Sequence, residues 1–321
     1  MVKGDSKDWI AIVNVFAASK NAGAVWKKAA MMLEDADVAY KAFFTGGEDN
    51  ASALAFKACV RGYRRFIAVG GDGTIHDVLN GIAGYVYSGM SESVRLSDFT
   101  LSVLPVGSGN DWVKSAGVPR TVSEAVRLIK AGTTGVQDVV KVSLGNESVA
   151  FMANVAGVGL DARVCEIVNR QKEQGRRGKK LYVAALLYCI RHRVPVRAQI
   201  KCDGETVFEG KYLSVSVGNG KYSGGGMRQT PLAVIDDGML DVTIIPEISL
   251  WTIAKKVPRL FTGTFHTVKE LVFARCHKVE VIPVGESDAE PVEVDGEVIG
   301  RAPVVFEVME EQINIVAPSG S

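Results

Sequence analysis

The chain has 321 residues, a formal net charge of +1 and 47% hydrophobic residues. That length gives two domains, or one large one, with ample core, and the near-neutral charge argues against bulk nucleic-acid binding, which needs a strongly basic face. The longest apolar run, Leu181 to Ile190, is too short to span a bilayer, and residues 1–10 carry no secretory core, so a cytoplasmic protein is expected. Five scattered cysteines without a CxxC and four histidines without ligand spacing argue against a disulfide frame and a transition-metal site.

The first part alternates. Strand patterns at 9–16, 36–44, 66–69 and 101–105 are separated by helical patterns at 22–33, 49–60 and 74–83, and a helix follows at 122–130. This predicts an α/β N-terminal domain, a parallel sheet with helices on both faces, with ligands beyond the carboxyl ends of the strands. Residues 85–98 read as a polar loop insertion. After Gly132-Thr133-Thr134-Gly135 the rhythm changes to short β-rich runs at 136–144, 148–155, 197–202, 212–217, 240–245, 278–283, 292–294, 304–308 and 313–316. Helical stretches interrupt at 161–169, 179–191 and 250–260. Asp-Gly pairs at Asp203-Gly204 and Asp295-Gly296 signal hairpins. We therefore expect a nucleotide-binding α/β domain over 1–135 and a β-rich domain over 136–321, a sandwich or flattened barrel.

The most informative turn is Gly70-Gly71-Asp72-Gly73-Thr74, between an apolar strand and an amphipathic helix. Glycines let the backbone approach a ligand, and a helix N-terminus behind them favours an anion. Asp72 would repel a phosphate unless a divalent cation bridges them or it orients the loop by hydrogen bonds. The plain alternative is a strand-to-helix turn with a capping Asp. A second turn, Gly107-Ser108-Gly109-Asn110-Asp111, follows the strand 101–105. It lacks the third glycine of a dinucleotide fingerprint, position 112 being Trp, and the Lys of a P-loop. On neighbouring strands the two turns would form facing phosphate and ribose clamps. The alternative is a loop with Asn110 or Asp111 as helix N-cap. Gly157-Val158-Gly159-Leu160-Asp161-Ala162 also fits G-x-G-x-x-A, but a basic stretch follows where a Rossmann unit needs an acid.

The two turns in this order resemble the diacylglycerol kinase catalytic family, which includes sphingosine and ceramide kinases and bacterial soluble lipid kinases. Thr45, the segment Phe151–Ala162, Gly224–Pro231 with Asp236–Asp241, and Val294-Asp295-Gly296-Glu297 extend the likeness over nearly the whole chain. The resemblance implies an ATP- and Mg²⁺-dependent phosphotransferase with its active site in the interdomain cleft. Asn14, Thr45, Gly70, Gly71, Asp72, Gly73, Thr74, Gly107, Ser108, Asn110 and Asp111 would hold the nucleotide. Asp295 would take the acceptor's proton, with Glu297 and Asp72 as catalytic neighbours. Asp236, Asp237 and Asp241 are the candidates for a metal ligand, in a segment that also reads as a plain turn into the strand 240–245, and Asp138 would join a water network around the metal. One departure stands at Asn14-Val15-Phe16-Ala17-Ala18-Ser19, which lacks the family's Pro and Gly.

The basic stretch 171–180 reads three ways: a solvated face, a γ-phosphate clamp through Arg176 and Lys180, or a foot on anionic lipid assisted by 191–193. Asp295-Gly296 alone also fits plain hairpin chemistry, as Asp203-Gly204 does. The expected activity is phosphorylation of a lipid hydroxyl, foremost diacylglycerol to phosphatidic acid, by an enzyme that visits the membrane surface peripherally. A homodimer is allowed for, and no nucleic-acid partner is expected. The rivals are an NAD kinase-like phosphotransferase and a non-catalytic nucleotide- or lipid-binding regulator.

Overall fold

The computed structural model describes residues 8–16, 22–90, 93–107, 109–145, 147–176, 179–192 and 195–318. Its strands are β1 (Trp9–Val13), β2 (Tyr40–Phe44), β3 (Arg65–Gly70), β4 (Thr100–Pro105), β5 (Thr134–Gln137), β6 (Val140–Leu144), β7 (Val149–Met152), β8 (Val155–Gly159), β9 (Val196–Cys202), β10 (Glu205–Gly218), β11 (Leu240–Pro246), β12 (Val272–Cys276), β13 (Lys278–Pro283), β14 (Pro291–Val294), β15 (Glu297–Arg301), β16 (Val304–Val308) and β17 (Ile313–Val316). Its helices are α1 (Ala22–Asp35), α2 (Ala51–Val60), α3 (Asp72–Val86), α4 (Asp111–Ser115), α5 (Val122–Ala131), α6 (Leu160–Glu173), α7 (Lys179–Arg191), α8 (Leu250–Lys256) and α9 (Pro258–Thr262).

The chain divides into two units. The first is Met1–Val139 with Glu310–Ser321, the second Val140–Met309. The first unit holds a sheet ordered β2-β1-β3-β4-β17-β5. Strands β1 to β4 are parallel, and β1 and β4 read as near-continuous apolar runs because both sheet faces are covered. On one face α1 and α5 cover Trp9, Ala11, Val13, Ile67, Val69 and Leu104. The alternate residues Ile10, Ile12, Phe66 and Ala68 are fully buried too, where α2 and α3 pack together and against β1 and β3. Helix α5 starts on a Thr121 cap that accepts from Glu124 N at 3.3 Å and stops at Gly132 with φ +68°.

The boundary expected near Gly135 lies four residues before the observed one at Val139/Val140. A larger difference concerns the last strand. It was expected in the β-rich domain, yet β17 pairs parallel with β4 and antiparallel with β5 inside the first sheet. The run 136–144 also breaks, into β5 of the first unit and β6 of the second.

The second unit is antiparallel, with the path β15-β14-β8-β10-β9-β13-β16-β6-β7 and a branch through β11 and β12. Strand β10 makes the branch: Glu205–Tyr212 pairs with β9, while Ser214–Gly218 lies between β8 and β11. A register shift between Tyr212 and Ser214 marks the bend. One strand thus serves two layers around a core of Val142, Val158, Ile200, Val215, Val281 and Phe306. The helical hairpin of α6 and α7 packs Val164, Val168, Ala185 and Cys189 with Leu160 and Leu213 in a separate small core.

Candidate active site

Register places the residues expected to hold nucleotide. In β3 and β4, Gly70 stands opposite Pro105, so both glycine turns leave the sheet at one level. Val106 N and Gly107 N both donate to Gly70 O, at 2.9 and 3.2 Å. A Cβ on Gly107 would lie 2.6 Å from the Gly71 Cα, so the turns touch backbone to backbone. Gly70 is required for a different reason: its Cβ would collide with the Thr74 hydroxyl. Helix α3 begins at this contact, and its N-cap, Gly71, brings no side chain over the helix end. Its positive pole therefore presents backbone, an arrangement that favours an anion.

The neighbouring strand tips complete this edge. Asn14 Nδ2 donates to Thr74 Oγ1 at 3.0 Å, and Thr45 Oγ1 accepts from Val15 N at 3.2 Å. Asp72 does not stand as an isolated acid in the turn. Its Oδ1 accepts from Trp112 N at 2.9 Å, so it braces the second turn against the first, which is the loop-orienting alternative read from the sequence. Asp111 is buried and paired with Lys114 Nζ at 2.6 Å. Asn110 adopts φ +49°, and its Oδ1 is buried without a hydrogen-bond partner beside Gly71 and Gly107. An orphaned acceptor at the glycine contact fits a site completed by a ligand. Ser108, expected here, lies outside the described residues, as do Ala17–Ser19. Asp138 is buried and accepts from Gln312 Nε2 at 2.8 Å.

In the second unit the Asp295-Gly296 turn joins β14 to β15, with φ of +53° and +92°. The Asp295 carboxylate accepts three backbone N–H bonds, from Ala153 (2.9 Å), Asn154 (2.8 Å) and Val155 (3.2 Å). Asn154 is itself tied to the loop after β10: its O accepts from Asn219 N and Gly220 N, and its Nδ2 donates to Tyr222 O at 2.7 Å. The turn is gripped from α6 as well, through Cys165 Sγ and Asn169 Nδ2 on Gly296 O. The Asp203 carboxylate, on the other Asp-Gly turn, accepts from two backbone N–H groups, those of His277 and Lys278. Glu297 is exposed at the start of β15.

Sequence reasoning passed over Glu293, whose signal was a lone acid in the fully buried run Pro291–Val294. Its Oε2 accepts from Gly296 N at 2.8 Å. Gly157, opposite it in the sheet, has no side chain because Asp161 and Glu293 fill that space. The G-x-G-x-x-A motif is thus occupied by the chain's own acids rather than left open as a cradle. Burial, then the charges of Asp161, Asp295 and Glu297, hold the Glu293 carboxyl well above the usual carboxylate range, against the pull of the Gly296 N–H. Burial also raises Asp161, opposed by hydrogen bonds from Ser216, Ser214 and Gln229. A carboxyl whose pKa is raised by folding binds its proton more tightly in the folded chain. Its stabilising contribution is full below the ordinary glutamate value of about 4.3 and is lost as pH rises toward the folded value. Glu293→Gln keeps an acceptor for Gly296 N and removes the titration. Thermal melts from about pH 5 to about pH 9 are expected to fall for wild type and to run flatter for this variant.

The expected metal ligands are not alike. Asp237 and Asp241 flank the Arg275 guanidinium, with Asp241 Oδ2 at 3.7 Å from Nε, while Asp236, exposed like Asp237, is not one of its carboxylate partners. Arg176 is exposed just beyond α6, its N bonded to Gln171 O at 3.0 Å, and the Lys180 side chain lies outside the described residues. Between α6, the end of α7 and β10, a cavity of about 270 Å³ is bordered by Leu160, Arg163, Glu166, Tyr188, Tyr212 and Glu290. Arg163 grips Glu290 in a fork, both bonds 2.6 Å. Next to it α7 exposes Val183 (51%), Leu187 (62%) and Tyr188 (57%), an apolar stripe ending in Arg191 and His192. No helix among the described residues is long and apolar enough to cross a membrane.

Residues 8–142 match the diacylglycerol kinase catalytic domain, and residues 154–317 match the YegS C-terminal NAD kinase beta sandwich-like domain. A probable lipid kinase YegS-like of Stenotrophomonas maltophilia is 26% identical over 278 residues, covering 86% of each chain. A diacylglycerol kinase of Bacillus subtilis is 26% identical over 271 residues, covering 84% of this chain and 82% of its own. Among solved structures, a putative diacylglycerol kinase from Bacillus anthracis superposes with a TM-score of 0.75 over 98% of both chains at 22% identity, a likeness of fold.

Proposed function

The chain belongs to the lipid kinase family that joins a diacylglycerol kinase catalytic domain to a YegS-type C-terminal domain, and from that premise we propose that it transfers the γ-phosphoryl group of Mg·ATP to a hydroxyl of diacylglycerol, giving phosphatidic acid. The observation that carries the reading is the backbone contact of the two glycine turns at the N-terminus of α3, with the unpartnered Asn110 Oδ1 beside it to accept from a sugar hydroxyl or face a cation. That is a seat for a polyphosphate, and phosphoryl transfer depends chiefly on positioning and charge stabilisation.

In this reading Gly70–Thr74 and Gly107–Asn110 hold the phosphates, with Asn14 and Thr45 at the rim. Asp72 is a positioning residue that sets one turn against the other through Trp112 N. Asp295 takes the proton of the acceptor hydroxyl as its oxygen bonds to the γ-phosphorus and the bond to ADP breaks. Three N–H donors hold that carboxylate in one orientation, which a general base requires. Glu297 is its neighbour across the turn. Arg176 and Lys180 supply positive charge to the transferring group. Magnesium enters as part of the nucleotide substrate.

The acceptor is presented from a bilayer that the enzyme visits from the aqueous side. Val183, Leu187 and Tyr188 with Arg191 fit a face that dips into an anionic interface. Leu187→Asp is expected to weaken sedimentation with phosphatidylglycerol vesicles by about tenfold or more, since one buried Leu contributes about 1.5–3 kcal/mol. Its turnover on a short-chain, water-soluble diacylglycerol should stay near wild type.

The test of the activity is transfer of labelled γ-phosphate from Mg·ATP to mixed micelles carrying diacylglycerol, monoacylglycerol, ceramide or sphingosine, with NAD as a soluble alternative. Label in diacylglycerol above the rest supports the reading. Label in NAD alone, or ATP binding with no acceptor labelled, overturns it.

A further inference from the structure

The acids at Asp237 and Asp241 have the hard-oxygen chemistry of a divalent cation site, but they already enclose a cation. Strands β11 and β12 pair antiparallel with Asp241 directly opposite Arg275. The guanidinium reaches Asp237 Oδ2 through Nη2 and stands 3.7 Å from Asp241 Oδ2 through Nε. The Asp237 end is fixed by the turn around it: Met239 N donates to Asp237 Oδ1 at 3.0 Å, and His277 Nδ1 meets Gly238 O at 2.8 Å. Asp241 Oδ2 is buried without a hydrogen bond, so the charge of Arg275 is what compensates it. Lys221 adds a second positive charge to the field at Asp241.

We infer that Arg275 takes the place of a divalent ion at this loop, so that Asp237 and Asp241 are bridged by the chain's own half-exposed guanidinium rather than by metal. Arginine stays protonated at every working pH and matches a carboxylate with fixed geometry. A divalent ion seated on the same two carboxylates would meet that charge at contact range, and it would have to expel the side chain first. The pair Asp237 and Asp241 therefore needs no divalent ion, and in the proposed reaction magnesium is required with the nucleotide. The inference concerns the second unit's own stability and holds whichever lipid is the acceptor.

The test is the melting temperature of the full chain without nucleotide, in EDTA and in millimolar Mg²⁺, Mn²⁺ or Ca²⁺, with calorimetric titration of each ion. Wild type and Arg275→Lys are expected to melt alike in every condition. Arg275→Gln is expected to melt ~3 °C lower in EDTA and to recover with one of the ions, because the vacated carboxylates become a cation site. Arg275→Gln with Asp241→Asn should lose that recovery. A wild-type melting point that rises with a divalent ion, and no longer does so in Asp241→Asn, would overturn the inference, since metal would then displace Arg275. Arg275→Gln that answers to no ion would overturn it equally. Should that variant fail to fold, the wild-type and Arg275→Lys titrations still decide.

Discussion

Asp295→Asn is expected to lower turnover on lipid by about 10²- to 10⁴-fold, the usual contribution of a general base, with ATP affinity unchanged. The substitution is well suited to isolate chemistry from folding. Asp295 sits at φ +53°, a conformation that Asn tolerates as readily as Asp, so the hairpin turn is kept. What changes is the acceptor. The carboxylate takes N–H bonds from Ala153, Asn154 and Val155, and an amide replaces one of its oxygens by a donor. Misplacing one buried donor costs about 1–3 kcal/mol. Melting curves and steady-state kinetics on the same preparation separate the two effects. If activity falls only as far as the folded fraction does, Asp295 is a bracket for residues 153–155 and the base lies elsewhere. If activity falls far more, the carboxylate acts on the acceptor. Asp295→Glu restores the charge one methylene further out and should recover little.

The first unit was legible because parallel strands buried on both faces show as apolar runs such as Trp9–Val13 and Phe66–Val69, and after β3 and β4 come turns whose contact only glycine permits. The edge they form was legible for the same reason, since in-register parallel strands bring their carboxyl-end turns level. Other features are not properties of any local segment. Nothing in Ile313-Asn314-Ile315-Val316 distinguishes a strand that returns to β4 from one that stays with its neighbour β16, because strand pairing across 200 residues leaves no local pattern. Strand β12 was missed because Val272–Cys276 is short and turns Phe273 outward with Arg275, so its apolar and polar residues do not alternate. Strand β10 was read from Tyr212 because its first half, 205–211, is a largely exposed hairpin arm. At the site, the sequence marks which residues are chemically capable and not what they touch. Asp72 drew notice as an acid in a phosphate turn, and its partner turned out to be a backbone N–H forty residues on. Glu293 drew none, because the motif beside it was the conspicuous feature.

Gly107→Ala is the sharpest probe of the proposed nucleotide seat. A Cβ there would lie 2.6 Å from the Gly71 Cα and 2.8 Å from Asn110 Oδ1. The first is backbone anchored by β3 and α3, so the turns must part. Overpacking of this kind costs about 1–3 kcal/mol, and the same separation displaces the N–H groups proposed to hold phosphate. ATP affinity is therefore expected to fall by about ten- to a hundredfold or more. Gly47→Ala supplies the control on the same edge of the sheet, because a Cβ there meets nothing within 4 Å. Gly109→Ala lies between them, with the Asp72 Oδ2 at 3.1 Å and a side chain free to adjust by a few tenths of an ångström. Affinity for a slowly hydrolysed ATP analogue, measured by calorimetry, should then rank Gly47→Ala near wild type, Gly109→Ala lower and Gly107→Ala lowest. That order follows from contact distances alone, so it holds even if the acceptor is not a lipid. Wild-type affinity in Gly107→Ala would show that the phosphates rest elsewhere, and the facing turns would then be a structural joint between β3 and β4.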